Sequence, residues 1–261
     1  MELRPYQSAA VEAVYNHLRT KDTNPCVVLP TGTGKSHVIA KIATDTARMW
    51  NGRVLVLAHV KELLEQNADK ISRLCPELKV GIYSAGLKSR DTRESIIVAG
   101  IQSVYDKAGN LGPFDIVMID ECHLLDSCSD DSMYASLLKD MKVVNPNVRL
   151  IGLTATPFRL KGGLICKPEN LLNEICYEAG LKEMIVQGYL SPIVSRAGRT
   201  EANLDDLHIR GGEFINDEIA SAMDREEIVN AACSEIVSLT RDRKSVIIFT
   251  TSVEHCKHVA E

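Results

Sequence analysis

A chain of 261 residues, 45% hydrophobic and 25% charged, has the composition of an ordinary globular protein and is long enough for one large domain and part of another. Its formal net charge of −5 supplies no overall cationic field, so any contact with a phosphate backbone must be local. No apolar run reaches the roughly 18 residues of a membrane span, and Met1-Glu2-Leu3-Arg4-Pro5 lacks a signal-peptide core, which predicts a cytoplasmic protein with no membrane partner.

The first predicted helix starts at Pro5, a residue suited to a first turn, and carries Tyr6, Ala10, Val14 and Leu18 on one face. An apolar run at 26–29 predicts a strand, followed by a helix at 36–48 that turns Val38, Ile39, Ile42 and Ala43 toward a core. A strand at 54–57 and a helix at 60–74, with Leu63, Leu64, Ala68 and Ile71 on one stripe, repeat the pattern. Further strands are predicted at 96–99, 116–119 and 150–153. Lys161-Gly162-Gly163 and the polar stretch 196–212 break the rhythm. A helix at 226–240, with Ile228, Val229, Cys233, Ile236 and Val237 apolar, precedes a last predicted strand at 246–249. Short apolar strands separated by helical segments predict an α/β fold, a parallel sheet covered by helices on both faces.

Leu29-Pro30-Thr31-Gly32-Thr33-Gly34-Lys35-Ser36 follows a strand and opens a helix, the setting of a phosphate-binding P-loop. Its glycines let backbone amides approach a β-phosphate, Lys35 brings a point charge to the β- and γ-phosphates, and the Ser36 hydroxyl can ligate magnesium. Leu29 stands where the first glycine of such loops is common. ATP or GTP binding follows. The run 116–119 ends in Asp120-Glu121-Cys122-His123, putting two carboxylates at the carboxyl end of a strand, where α/β sheets bind ligands. Asp120 is assigned to the metal, partly through water, and Glu121 to the attacking water. Gly152-Leu153-Thr154-Ala155-Thr156-Pro157-Phe158-Arg159 offers two hydroxyls at another strand end, although on its residues alone it is equally a turn with polar caps. Eight cysteines without a Cys-x-x-Cys pair read as reduced thiols, and Cys122, His123 and Cys128 fit no common zinc spacing, so no structural zinc is expected.

Taken in order, Thr31 to Ser36, Asp120 to His123 and Thr154 to Thr156 resemble motifs I, II and III of superfamily 2 helicases of the DEAD/DEAH type. Leu3-Arg4-Pro5-Tyr6-Gln7 is similar to the family's adenine-reading segment, Leu57 to Leu63 to motif Ia, Ile101 to Val104 to motif Ib, and Val246 to Thr250 to motif IV. Leu57 to Leu63, Ala85-Gly86-Leu87-Lys88, residues 152–160 and Val253-Glu254-His255 are similar to bacterial DNA-repair ATPases, and restriction-enzyme motor subunits share the core motifs.

The resemblance implies a RecA-like ATP-binding lobe at 1–196, a linker at 197–225 and the start of a second RecA-like lobe at 226–261. It implies Mg-ATP as cofactor, with Arg4 and Gln7 selecting ATP over GTP and Thr31, Gly32, Thr33, Gly34, Lys35 and Ser36 holding the phosphates. Lys35, Asp120, Glu121 and His123 would form the catalytic set, His123 would couple to Thr154 and Thr156, and His59, Gln102 and Arg159 would face nucleic acid. The implied partners are nucleic acid, DNA in particular, and single-strand-binding or repair proteins; the implied activity is that of an ATP-dependent helicase or translocase. A nucleotide-gated binding module, or a restriction-type motor fragment without net unwinding, is the alternative. Motifs V and VI are absent from these 261 residues, and Arg241 and Arg243 do not stand at the motif VI position. The chain alone is therefore expected to bind Mg-ATP, to hydrolyse it weakly and not to translocate.

Overall fold

The computed structural model describes residues 3–125, 132–159, 163–194, 198, 203, 207–210 and 213–261. Cys128, Leu160, Lys161, Gly162 and most of the predicted break at 196–212 lie outside those residues. The chain divides into two compact units, Met1–Pro192 and Ile193–Glu261.

The first unit runs α1 (Pro5–Thr20), β1 (Pro25–Val28), α2 (Lys35–Met49), β2 (Val54–Ala58), α3 (Lys61–Leu74), β3 (Val80–Ser84), β4 (Ser89–Arg90) and β5 (Ile96–Gly100). It continues through α4 (Ile101–Val104), α5 (Ala108–Leu111), β6 (Ile116–Asp120), α6 (Met133–Val144), β7 (Arg149–Thr154), β8 (Phe158–Arg159), β9 (Gly163–Leu164), β10 (Glu174–Glu178) and α7 (Leu181–Val186). Eight strands form one sheet in the order β10-β1-β7-β6-β2-β5-β3-β4. Every pairing in it is parallel except that of β3 with β4.

The continuous apolar strands follow from burial on both faces. Alternate residues of β2 point to opposite sides: Val54, Val56 and Ala58 join Val14, Ile39, Ile42 and Ile71 of α1 to α3, whereas Leu55 and Leu57 join Leu137 and Met141 of α6. Pro5 occupies the first turn of α1, and the Arg4 backbone N–H donates to Gln7 Oε1 at 2.9 Å, closing that helix end. β1, β7 and β6 lie side by side, so the loops that leave their carboxyl ends meet at one rim of the sheet.

Gly152 is what lets that centre close. It sits in β7 opposite Cys26 of β1 and Ile119 of β6, and a Cβ there would lie 2.5 Å from Leu172 Cδ1 and 2.8 Å from Cys122 Sγ. Gly152→Ala should therefore overpack the core at a cost of about 1–3 kcal/mol. Thermal unfolding would show it, as a midpoint lowered by roughly 2–4 °C for each kcal/mol. An unchanged midpoint would mean that the contact relaxes freely.

The second unit contains β11 (Ile209–Arg210) paired with β12 (Glu213–Phe214), α8 (Asn216–Met223), α9 (Glu226–Leu239) and α10 (Val253–Ala260). Ser252 caps α10, its Oγ accepting from the His255 N–H at 3.0 Å. The predicted helix at 226–240 is α9, while the predicted linker 197–225 contains α8. The predicted strand at 246–249 does not form, and Ile247 and Phe249 are 80% and 93% exposed. A strand exists through its hydrogen-bonded neighbours. Among the described residues none pairs with this segment, so its apolar, β-branched sequence has nothing to join.

Candidate nucleotide-binding site

The P-loop is held by its own backbone and by α1. The Leu29 N–H donates to the Thr154 carbonyl at 2.9 Å, fastening the start of the loop to the end of β7. Within the loop, Thr33 Oγ1 donates to the Pro30 carbonyl at 2.6 Å and the Thr33 N–H to the same oxygen at 3.3 Å. Gly34, at φ 82°, is the left-handed residue before α2. A side chain there would meet Gln7 Nε2 and His37 Nδ1, each 2.8 Å from the added carbon.

Two residues of the predicted adenine-reading segment grip the loop instead of projecting into solvent. Tyr6 donates its hydroxyl to the Thr33 carbonyl at 2.7 Å, and Gln7 Nε2 donates to the same oxygen at 2.8 Å. Gln7 is 4% exposed, and its Oε1 caps α1. Its amide keeps one further N–H and one further lone pair beyond these two bonds. Arg4 stands 5.3 Å from the centre of the Tyr189 ring, which packs edge-on against Tyr6 at 4.8 Å. Leu190 lies 3.3 Å from where a Gly32 Cβ would be. Tyr189 and Leu190 escaped the sequence reading, since an aromatic and a leucine after a short helix carry no local signal.

The acidic pair lies on the other side of β7. Asp120, 4% exposed, accepts from Asn67 Nδ2 at 2.9 Å through Oδ2 and from the Glu121 N–H at 3.1 Å through Oδ1. Burial raises its pKa above the usual carboxylate range, against the stabilising hydrogen bond from Asn67. Ser36 Oγ accepts from Gln66 Nε2 at 2.9 Å. Glu121 adopts φ 54° and ψ 50°, a left-handed backbone unusual for a residue with a side chain.

From Glu121 an unbroken polar chain crosses the rim. Its Oε1 lies 3.2 Å from Lys35 Nζ and its Oε2 lies 3.3 Å from His123 Nδ1. His123 Nδ1 is also 2.9 Å from Thr154 Oγ1, which accepts from the Thr156 N–H at 3.1 Å and lies 3.2 Å from the Thr156 carbonyl. A proton on Nδ1 lets the imidazole donate to both Glu121 and Thr154.

His59 and Gln102 are also brought together, at the carboxyl ends of the paired strands β2 and β5. Gln102 Nε2 is 3.2 Å from both His59 Nδ1 and the His59 carbonyl, at an exposed position. Arg159 is on β8, where Nη1 donates to the Leu125 carbonyl at 3.1 Å. The seven cysteines among the described residues are free thiols, with Cys26 and Cys122 in contact at 3.7 Å between sulfurs. No helix among the described residues is long and apolar enough to cross a membrane.

The phosphate-loop segment and the carboxylate pair flank β7 in a mostly parallel sheet covered by helices, a RecA-like fold. Residues 1–159 match the family described as the type III restriction enzyme, res subunit, and the chain belongs to that family. It is 25% identical to Saccharomyces cerevisiae IRC3, which carries the name of an ATP-dependent helicase, over 97% of this chain and 37% of that protein. It is 30% identical to the DNA 3'-5' translocase XPB2 of Sulfurisphaera tokodaii, over 70% of this chain and 37% of that one. The Pyrococcus furiosus Hef helicase domain superimposes with a TM-score of 0.54 at 22% identity, covering 99% of this chain and 54% of its own. The chain spans less than half the length of the curated relatives it matches first.

Proposed function

We propose that this chain is the Mg-ATP-binding core of a DNA helicase or translocase, coupling hydrolysis to the binding or remodelling of DNA. The observation that carries the reading is the continuous path from Lys35 through Glu121 and His123 to Thr154 and Thr156. In it, residues 1–196 act as the first RecA-like lobe, 197–225 as a linker and 226–261 as the opening of the second. Thr31 to Ser36 hold the triphosphate, and Arg4 and Gln7 favour adenine.

The residues present fit magnesium. Ser36 Oγ and the Asp120 carboxylate are hard oxygen donors, each steadied by a carboxamide of α3. Bound there, the ion would neutralise charge on the β- and γ-phosphate oxygens. Lys35 then exchanges Glu121 for phosphate, which releases the carboxylate to orient the attacking water and take its proton. His123, in contact with Glu121 and Thr154, carries that change toward motif III, and His59, Gln102 and Arg159 face the strand.

A DNA substrate is supported by the name of the archaeal translocase. Resemblance to the bacterial repair ATPase RadD supports a role in DNA repair with single-strand-binding or repair proteins as partners, and the free thiols support a cytoplasmic setting. The restriction-enzyme family match favours a second reading, a restriction-type motor fragment without net unwinding.

The test is steady-state ATP turnover of a full-length relative with single-stranded, duplex and branched DNA and with RNA, together with strand displacement. Stimulation by DNA and not RNA is expected. Stimulation by RNA alone would overturn the DNA assignment, and DNA stimulation without displacement would favour the second reading. Residues 1–261 by themselves should bind ATP with little turnover.

A further inference from the structure

Two adjacent carboxamides on α3 reach into the metal site from a segment that none of the phosphate motifs includes. Gln66 donates to Ser36 Oγ and Asn67 to Asp120 Oδ2, both at 2.9 Å. These are the two side chains that the proposed function assigns to magnesium. Their register on α3 is what permits it: Leu64, Ala68 and Ile71 are buried against the sheet, and Asn67 shares that inward side.

Asn67 is 1% exposed, and its Oδ1 has no hydrogen-bond partner. The orientation of the amide is fixed by chemistry. Both Asp120 oxygens accept hydrogen bonds, Oδ1 from the Glu121 N–H and Oδ2 from Asn67, so the NH₂ end must face the carboxylate and the carbonyl end is left over. If Asn67 served only to satisfy a buried aspartate, an orphaned acceptor beside it would be a pure loss. Magnesium gives that oxygen a use, because the ion keeps several of its waters, whose hydrogens need acceptors around the site.

We propose that Asn67 is a positioning residue for the hydrated magnesium ion. Its Nδ2–H aims the Asp120 carboxylate, its Oδ1 accepts from a water of the ion's shell, and Gln66 orients the Ser36 hydroxyl. This rests on the nucleotide-site reading and adds to it an outer layer of ligand support supplied by the helix that follows His59.

The experiment is equilibrium binding of a fluorescent ATP analogue to the 261-residue chain, titrated with magnesium chloride and repeated in EDTA. Asn67→Ala should raise the magnesium concentration needed for half-maximal binding about 10-fold or more, in the range seen when outer-sphere partners of metal ligands are removed. Gln66→Ala should shift it in the same direction, and binding in EDTA should be unchanged for both. Equal losses with and without magnesium, or no shift in either variant, would overturn the proposal. Should Asn67→Ala lack a cooperative thermal transition, Gln66→Ala decides alone, since that position is exposed and tolerates truncation. If the unmutated chain fails to bind the analogue, the nucleotide-site reading itself falls; if it binds and the variants match it, only the role of α3 does.

Discussion

Lys35→Ala is expected to reduce ATP affinity by about 2–5 kcal/mol, roughly 30- to 5,000-fold, the scale of truncating one partner of a buried, hydrogen-bonded charge pair. The Lys35 side chain is 11% exposed, and its ammonium already stands 3.2 Å from a carboxylate, so the loop delivers this charge to a place where solvent screens it poorly. Lys35→Arg should fail nearly as badly, because a planar fork cannot occupy the space of a compact ammonium at the start of α2. Equilibrium binding of labelled ATP measures both. Wild-type affinity in the Lys35→Ala protein would remove the basis for calling residues 29–36 a triphosphate site.

Glu121→Gln should separate binding from chemistry. The exchange keeps the shape but removes the carboxylate that would accept a proton from water, a contribution of typically about 10²–10⁴ in rate. ATP affinity should hold or rise, because Lys35 would no longer have to leave an anionic partner to reach phosphate. Single-turnover hydrolysis with protein in excess over ATP gives the rate, and the binding titration gives the affinity. A variant that hydrolyses at the unmutated rate would show that another group activates the water. The left-handed backbone at Glu121 adds a reason for the choice of residue to be functional, since a residue there bears conformational strain that its neighbours must offset.

Much of the first unit is legible in the sequence because its information is local. β1, β2 and β5 are apolar along their length and β6 and β7 along all but their ends, as suits strands buried on both faces, and Pro5 marks the start of α1. β3 and β10 are not legible. Gly81 interrupts the first, and Glu174-Ile175-Cys176-Tyr177-Glu178 is a half-buried edge strand whose identity comes from pairing with β1. The segment 246–249 shows the converse, since strand-like composition without a neighbour yields no strand.

The site divides along the same line. Lys35 and Ser36, and separately Asp120 and Glu121, are visible because the proposed phosphate and metal chemistry imposes residue types at fixed spacing within each of two short segments. Gln66, Asn67 and Tyr189 are invisible because only the packing of α3 and of the 187–192 segment brings them to the rim. Gln7 lies between the two cases. Its place in the sequence is informative, but its hold on Thr33 depends on how α1 docks.

The absence of one methyl group at position 152 also decides which parts of the molecule feel each other. With a bare backbone in β7, the thiols of Cys26 and Cys122 meet over the top of it, so the strand that feeds the phosphate loop leans directly on the turn that carries the two acids. Those two pieces, nearly a hundred residues apart in the chain, touch through their sulfurs. A bulkier side chain in place of either buried thiol would push the Lys35 ammonium and the Glu121 carboxylate apart from a position outside the pair itself.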